Sequence, residues 1–357
     1  MALHSTVVTS AAFPVPERRS FEIFQWPLPA FIGPNLERLY HSTFCSLPHL
    51  ALYGSIGRST QAWVDRQDGE VIALLLFEVR HGCAYVINEV IDLDAGTLNY
   101  FSQTVFRHHG AITAIALHAV AAPSVPFFSQ RVCVSEDFVL DLPGSEASYL
   151  ASISRQTREK IRYYEARCRR KQPSMQFRIT RKSCIAAADF DAVIQLNRAR
   201  MANKGRQFGL DDQEQHRLWR LLHQCGFIAV IEIDAQVRAG LLCTQTGRDI
   251  YLHVIAHDPR HDNLNLGFLC CYLGIRSAIE QGCVRFHFLW GRSDYKPRFG
   301  ARPKPLFAIA LYKSRLHALL HPPLFFGQLR RAMRHRLKTW RHRWQVEVAR
   351  HAHRTRD

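Results

Sequence analysis

The chain has 357 residues, 47% of them hydrophobic and 22% charged, with a formal net charge of +17. That length suits two domains of about 150 residues each, and that composition is globular and excludes a disordered or fibrous chain. The basic balance suits nucleic acid, anionic lipid or acidic cofactors as partners and does not choose among them.

The ten cysteines are scattered without a C-x-x-C pair, so neither a disulfide framework nor a zinc site is expected, and the nineteen dispersed histidines add no metal-ligand spacing. Cysteine usage of this kind fits a reducing cytoplasm. Residues 1–20 lack a basic n-region followed by an apolar core, and read as a Pro-punctuated, disordered lead. The longest strongly apolar run, Val71–Phe77, is far short of a bilayer span. The expected location is cytoplasmic, with the inner face of the membrane as a peripheral site.

In chain order, 21–144 reads as one α/β half. Leu36–Phe44 is a short helix, Ala62–Val64 a strand, and Val71–Arg80 with Cys83–Val90 a strand pair turning at His81-Gly82. Leu98–His108 is a helix, Ala111–His118 a strand, and Val132–Leu142 the strand that closes this half. A helix then spans 145–171, with Leu150, Ile153, Thr157, Ile161, Tyr164 and Cys168 at three- and four-residue steps. Its other face is cationic, with Arg155 and Arg158 as candidate ligands for an anionic substrate and a solvated surface as the alternative.

Met175–Arg181 is a strand and Asp189–Met201 a helix broken at Asn203-Lys204-Gly205. Asp211 and Glu214 make a capping-box-like start to a helix through His223. Strands Phe227–Ile233 and Val237–Thr244 follow, with turns at 234–236 and 246–249. The segment 250–300 then reads strand (250–256), polar loop (257–265), helix (266–282), strand (284–289) and the run GRSDYKPRFG. A loop entering a helix N-terminus suits an anion, because first-turn N–H groups lack partners and the helix dipole is positive there. A last strand, Pro305–Leu311, completes the second half.

Shifting the sequence by 166 residues places Val64, Asp68, Val71, Ala73, Leu75, Leu76 and Tyr85 on Val230, Asp234, Val237, Ala239, Leu241, Leu242 and Tyr251. These identities fall in one strand–turn–strand–turn–strand unit without a gap, which points to a tandem duplication. The first half has no counterpart of the polar loop and the Tyr-Lys run, so chemistry is expected in the second half or between the two. Residues 314–357 are distinct: Phe326, Leu329, Met333, Leu337, Trp340, Trp344 and Val348 form a helical seam among arginines and lysines. Such a basic amphipathic helix suits an anionic membrane surface, with docking on the protein itself and nucleic acid as alternatives.

The strand order, the stretch YLASISRQTREKIR (149–162), the hairpin IDAQVRAGLLC (233–243) and FHFLWGRSDYKPRFG (286–300) together resemble the acyl-CoA-binding core of the GNAT superfamily. More closely, residues 145–313 resemble the acetyltransferase domain of cellulose-biosynthesis-associated (CelD/BcsL-type) and Fem-like proteins, in which two GNAT-like halves often occur in tandem. The resemblance implies an α/β fold of tandem GNAT-like halves, with mixed, largely antiparallel sheets flanked by helices. It implies an N-acyltransferase using acetyl-CoA or another acyl-CoA, acting on an amine or hydroxyl of a small metabolite, sugar or cell-envelope precursor such as one of exopolysaccharide or cellulose biosynthesis. A Fem-like transferase taking aminoacyl-tRNA and a non-catalytic scaffold in polysaccharide biosynthesis are the alternatives. The oligomeric state is open.

Two departures stand out. His287 occupies the place where the family has Asp before Phe-Leu, and the Arg/Gln-x-x-Gly-x-Gly/Ala pyrophosphate loop is replaced by Arg260-His261-Asp262-Asn263-Leu264-Asn265-Leu266-Gly267. Arg260, His261, Asn263, Asn265 and Gly267 are therefore the candidates for donor phosphate. Acyl transfer to an amine needs a base and a proton for the departing thiolate. With ordinary histidine pKa values near 6.5, His287 and His253 are candidate bases. Tyr295 matches the position from which GNAT tyrosines protonate the leaving group. Asp294, Lys296 and Arg298 are candidates for substrate or donor binding. No metal is implied.

Overall fold

The computed structural model describes residues 19–123, 127–203, 205 and 209–333. Most of the expected disordered lead and the tail from Arg334 onward lie outside the described residues.

The chain begins with β1 (Arg19–Phe24), α1 (Ile32–Tyr40), a 3-10 turn at Thr43–Cys45 and α2 (Leu47–Leu52). Then come β2 (Thr60–Gln67), β3 (Glu70–Arg80), β4 (Cys83–Val86), α3 (Ala95–His108), β5 (Ala114–Val120) and β6 (Phe128–Asp141). The expected single helix over 145–171 is two, α4 (Glu146–Ser152) and α5 (Arg155–Lys171). Ile153 is extended, and the Ser154 side chain accepts from the Thr157 N–H, an N-cap that restarts the helix. Further on lie β7 (Gln176–Arg181), α6 (Ala187–Asn203), α7 (Asp212–Cys225), β8 (Gly226–Ile233), β9 (Gln236–Thr246) and β10 (Asp249–His257). The last elements are α8 (Leu266–Glu280), β11 (Arg285–His287), α9 (Tyr295–Arg298), β12 (Arg302–Tyr312) and α10 (Arg315–Leu319).

These elements form two compact units. The first takes residues 1–35, 56–135 and 305–357; the second takes 36–55 and 136–304. Strand order in the first is β1-β2-β3-β4-β5-β12, and in the second β6-β11-β10-β9-β8-β7. Among the described strand pairs, β4–β5 and β10–β11 are parallel.

The repeat expected from sequence holds strand by strand. β2, β3 and β4 map onto β8, β9 and the first residues of β10 at the 166-residue shift. Even the bulge repeats, between Asp65 and Arg66 in one unit and between Ile231 and Glu232 in the other. Asp68 and Asp234 both take positive φ in the first turn, where a short polar side chain tolerates the left-handed region. The fold class is the expected one, a mixed α/β arrangement of two GNAT-like units.

One expectation needs correcting. The last strand, placed by sequence in the second half, pairs antiparallel with β5 of the first unit, Ile309 to Leu117 and Tyr312 to Ala114. The equivalent position beside β11 is taken by β6, with Arg285 opposite Asp141 and His287 opposite Val139. Each sheet is thus closed by a strand from outside the repeat that sequence comparison detects.

In the second unit the sheet is covered on both faces. α8 packs on one side in a cluster with Ile231, Leu241, Phe286 and Phe288. α6 and α7 pack on the other, with Val193 and Leu222 against Ile228, Leu242 and Val254. Burying several large side chains per helix at about 1.5–3 kcal/mol each is what outweighs weak helix propensity here. Segment 36–55 also belongs to this unit: the Thr43 hydroxyl bonds Thr244 and Thr246, and the Tyr251 hydroxyl donates to the His41 carbonyl.

Candidate active site at the parting of two parallel strands

β10 and β11 pair only over Asp249–Tyr251 against Arg285–His287. β10 then continues to His257 on its β9 side, while Phe288 turns away and donates to the Phe138 carbonyl. Among the described residues no strand pairs with that edge of β10 beyond Tyr251, so its backbone groups face the parting. In the first unit the same place is closed. After β4 the chain returns to β5 through Val90 N–H to the Ala119 carbonyl, Ala121 N–H to Ile91 and Leu93 N–H to Ala121.

Strand alternation divides the site residues between two faces. On one face lie Phe286 and Phe288, and Tyr295 packs edge-on to Phe288 and Phe299. Burial pushes the Tyr295 hydroxyl up, with Arg200 opposing, so it carries its proton at neutral pH. Arg200 and its partner Asn197, at the end of α6, were not singled out by sequence; a lone arginine before a polar loop offers no signal.

On the other face His287 is buried. Its Nδ1 lies 2.6 Å from Asp137, its Nε2 lies 3.5 Å from Asp249, and its ring stacks on Tyr251 at 4.2 Å. Asp249 also meets Arg285 at 2.6 Å. Burial works against the imidazolium, but the bond to Asp137 and the nearby Asp249 carboxylate outweigh it and raise the pKa. The ring is enclosed by two carboxylates, on the face of β11 opposite Phe286 and Phe288. His253 shares this face, its Nε2 bonded to Thr244 at 2.9 Å, and burial plus neighbouring His49 bring its pKa down to about 3. Phe44 packs against His253, Tyr251 and Trp290.

Lys296, expected to bind substrate or donor phosphate, is instead turned inward. Its ammonium donates to the carbonyls of Leu289 at 2.8 Å and Trp290 at 3.0 Å. It thereby clamps the bend in which Leu289 and Gly291 take positive φ. Burial lowers its pKa to about 8, against the pull of Asp137, so it remains mostly charged at neutral pH. Arg158 is also structural: it donates to the carbonyls of Leu150, Ala151 and Ile153 and so caps α4. Arg155 is exposed and pairs with Glu159. Asp294 and Arg298 are exposed at the ends of α9.

The loop expected to hold donor phosphate is a 3-10 turn, Pro259–Leu264, with Asn265 left-handed. Its hydrogen bonds are largely spent on itself. Arg260 N–H donates to the Asp258 carboxylate, His261 N–H to the Asp258 carbonyl and Asn265 N–H to Asp262. Buried Asp258 pairs with Arg238 and Arg260 and lies 3.6 Å from His261. Burial would raise its pKa, but Arg260's side chain and amide bring it down to about 2. His257 pairs with Asp262, and a Cβ at Gly267 would stand 2.7 Å from the His257 ring. Asn263 is exposed. The loop's cations Arg260, His261 and His257 thus already face the carboxylates of Asp258 and Asp262.

Among the described residues no group of three or more His, Cys, Asp or Glu side chains is arranged to hold a metal, and no helix is long and apolar enough to cross a membrane.

Residues 155–297 match the family described as acetyltransferase (GNAT) domain. No curated protein matches the sequence. Among solved structures, FemX is similar at TM-score 0.57 and 11% identity, over 80% of this chain and 96% of FemX. A conserved protein of unknown function from Bacteroides thetaiotaomicron VPI-5482 is similar at TM-score 0.50 and 11% identity, over 79% and 96% of the two chains. L-PGS from Bacillus licheniformis is similar at TM-score 0.48 and 13% identity, over 84% and 97%. The CelD/BcsL type is not among these similarities. The residues that match the acetyltransferase (GNAT) domain family lie in the second unit and include the place where β10 and β11 part.

Proposed function

We propose that the chain is an acyltransferase whose reacting centre lies where β10 and β11 part. It moves an acyl group to an amine or hydroxyl of a small metabolite, sugar or cell-envelope precursor. The observation that carries this reading is the asymmetry of the repeat: the parting is open only in the unit that also holds a protonated tyrosine beside it. An extended donor laid along the free edge of β10 would find unpaired backbone groups, and Tyr295 would supply the proton to the leaving group. His287, locked between Asp137 and Asp249, would act by holding β6, β10 and β11 in place.

Acyl-CoA, with acetyl-CoA first, is the donor class that the domain match suggests, and a GNAT-type activity on exopolysaccharide precursors would follow. The self-bonded loop at 258–267 favours a second reading, a Fem-like transferase drawing on aminoacyl-tRNA, to which the fold likeness to FemX and the +17 charge lend support. Calorimetry with acetyl-CoA and longer acyl-CoAs, beside filter retention of charged tRNA, separates the two. Acyl-CoA binding supports the first. Retention of charged tRNA without acyl-CoA binding supports the second. Binding of neither overturns both and leaves a non-catalytic scaffold.

A further inference from the structure

We propose that the stretch from Lys313 to Met333 is a docking surface for an anionic lipid bilayer. α10 and the helical residues 322–333 are held to the first unit by one side only. Ala318, Leu324 and Phe325 pack with Cys83, Ala114, Ala116, Ala310 and Tyr312. His321 is buried and bonds the Thr113 hydroxyl at 2.7 Å.

With that side already satisfied, the outward side should be polar. It is not. Leu316, Leu319 and Leu320, at i, i+3 and i+4, are each at least 69% exposed, and on the next helical stretch Phe326, Leu329 and Met333 are exposed at i, i+3 and i+7. Six of the twelve exposed large hydrophobic side chains among the described residues fall in these eighteen residues. Exposed apolar side chains clustered in this way mark an interaction site.

Charge chooses the occupant. Lys313, Arg315, Arg330 and Arg331 are exposed within the same stretch. The sequence contains no Asp or Glu anywhere from Tyr295 to Val346. A second copy would bring two cationic surfaces together, and the chain's own residues beyond Met333 are equally basic. A polynucleotide would satisfy the arginines and leave the leucines in water. An anionic bilayer takes both: headgroups meet the arginines and the leucines enter the acyl boundary.

The test is flotation of the full chain with vesicles of phosphatidylcholine alone or with one quarter phosphatidylglycerol. The expected result is binding to the phosphatidylglycerol vesicles, weakened by salt, with little binding to phosphatidylcholine. Leu319→Glu/Leu329→Glu should lose roughly tenfold or more of that binding, since both apolar insertion and charge are opposed. Arg330→Gln/Arg331→Gln should lose severalfold and flatten the salt dependence. The milder pair Leu319→Ser/Leu329→Ser, checked for an unchanged thermal midpoint, guards against a folding defect. The proposal is overturned if anionic vesicles do not bind, if the leucine variants bind as well as the parent, or if those variants instead dissolve a dimer or release RNA.

Discussion

His287 offers the sharpest test of how the second unit is held together. At an effective dielectric constant near 20, its separations of 2.6 Å from Asp137 and 3.5 Å from Asp249 correspond to attractions of about 6 and 5 kcal/mol, against several kcal/mol to desolvate each ion. The net worth of the intact cluster is therefore small, but removing its centre is not. His287→Ala leaves Asp137 buried without its hydrogen-bonded partner, and breaking such a pair costs about 3–5 kcal/mol. Asp137→Asn is milder, at about 1–2 kcal/mol, because the ring keeps Asp249 and can lose its proton. At roughly 2–4 °C per kcal/mol for a unit of this size, His287→Ala should lower the thermal midpoint by about 6–20 °C. Calorimetry of both variants and of the double variant measures this. A loss below about 1 kcal/mol for His287→Ala, or a larger loss for Asp137→Asn, would refute the buried-cation argument.

The same cluster sets a pH dependence. The folded pKa of His287 is raised above its unfolded value, so its contribution is complete below about pH 6.5 and fades as pH rises through the folded value. Parent and Asp137→Asn should therefore converge in stability toward alkaline pH; unchanged separation from pH 6 to 9 contradicts it. Asp258 runs the other way: held at about 2, it contributes above about pH 4 and is lost as pH falls toward its folded value. Asp258→Asn should cost about 1–3 kcal/mol at neutral pH and little at pH 2, readable by urea melts. Tyr295→Phe should lower turnover about 10–100-fold with donor binding and thermal midpoint unchanged, as measured by transfer assay and calorimetry. Equal turnover would remove Tyr295 from the chemistry. Gly240→Ala should cost about 1–3 kcal/mol, because a Cβ there would stand 2.3 Å from Val193 of α6; an unaffected denaturation midpoint would show that α6 gives way.

What sequence made legible was local. The hairpins repeated at 166 residues could be seen because their turn residues and apolar alternation lie within one short window. The alternation of β11 correctly separated Phe286 and Phe288 from Arg285 and His287. What it could not show was everything joined over long separations. Nothing in the run from Pro305 assigns it to β5 in place of β11, since both are short apolar strands needing an antiparallel neighbour. Thr43 meeting Thr244 and Thr246 is equally invisible. Asp137 lies in a strand pattern and Asp249 at a turn, where aspartate is ordinary. Lys296 read as a surface cation because its ligands are backbone carbonyls, which no side-chain pattern reports.

The repeat itself supplies the last step. The parallel ladder of the first unit pairs Cys83 with Ala114 and Tyr85 with Ala116; that of the second pairs Asp249 with Arg285 and Tyr251 with His287. At matching rungs one unit therefore holds Cys83, Ala114 and Ala116, packed in an apolar cluster, and the other holds Asp249, Arg285 and His287. The apolar version shows that this fold does not require ions there. Since apolar replacement of a buried ion cluster is often neutral or stabilising, the charges in the second unit are not explained by stability alone. His287 lies at the last rung before β10 and β11 part, with Asp249 and Arg285 two residues before it, and the equivalent place in the first unit is zipped shut. The asymmetry fits the proposal that the cluster ties β10 to β11 up to the point where they part. An Asp249→Cys/Arg285→Ala/His287→Ala variant, carrying the first unit's residues, should then retain a cooperative melt yet lose transfer activity. Retained activity in that variant would reduce the cluster to packing.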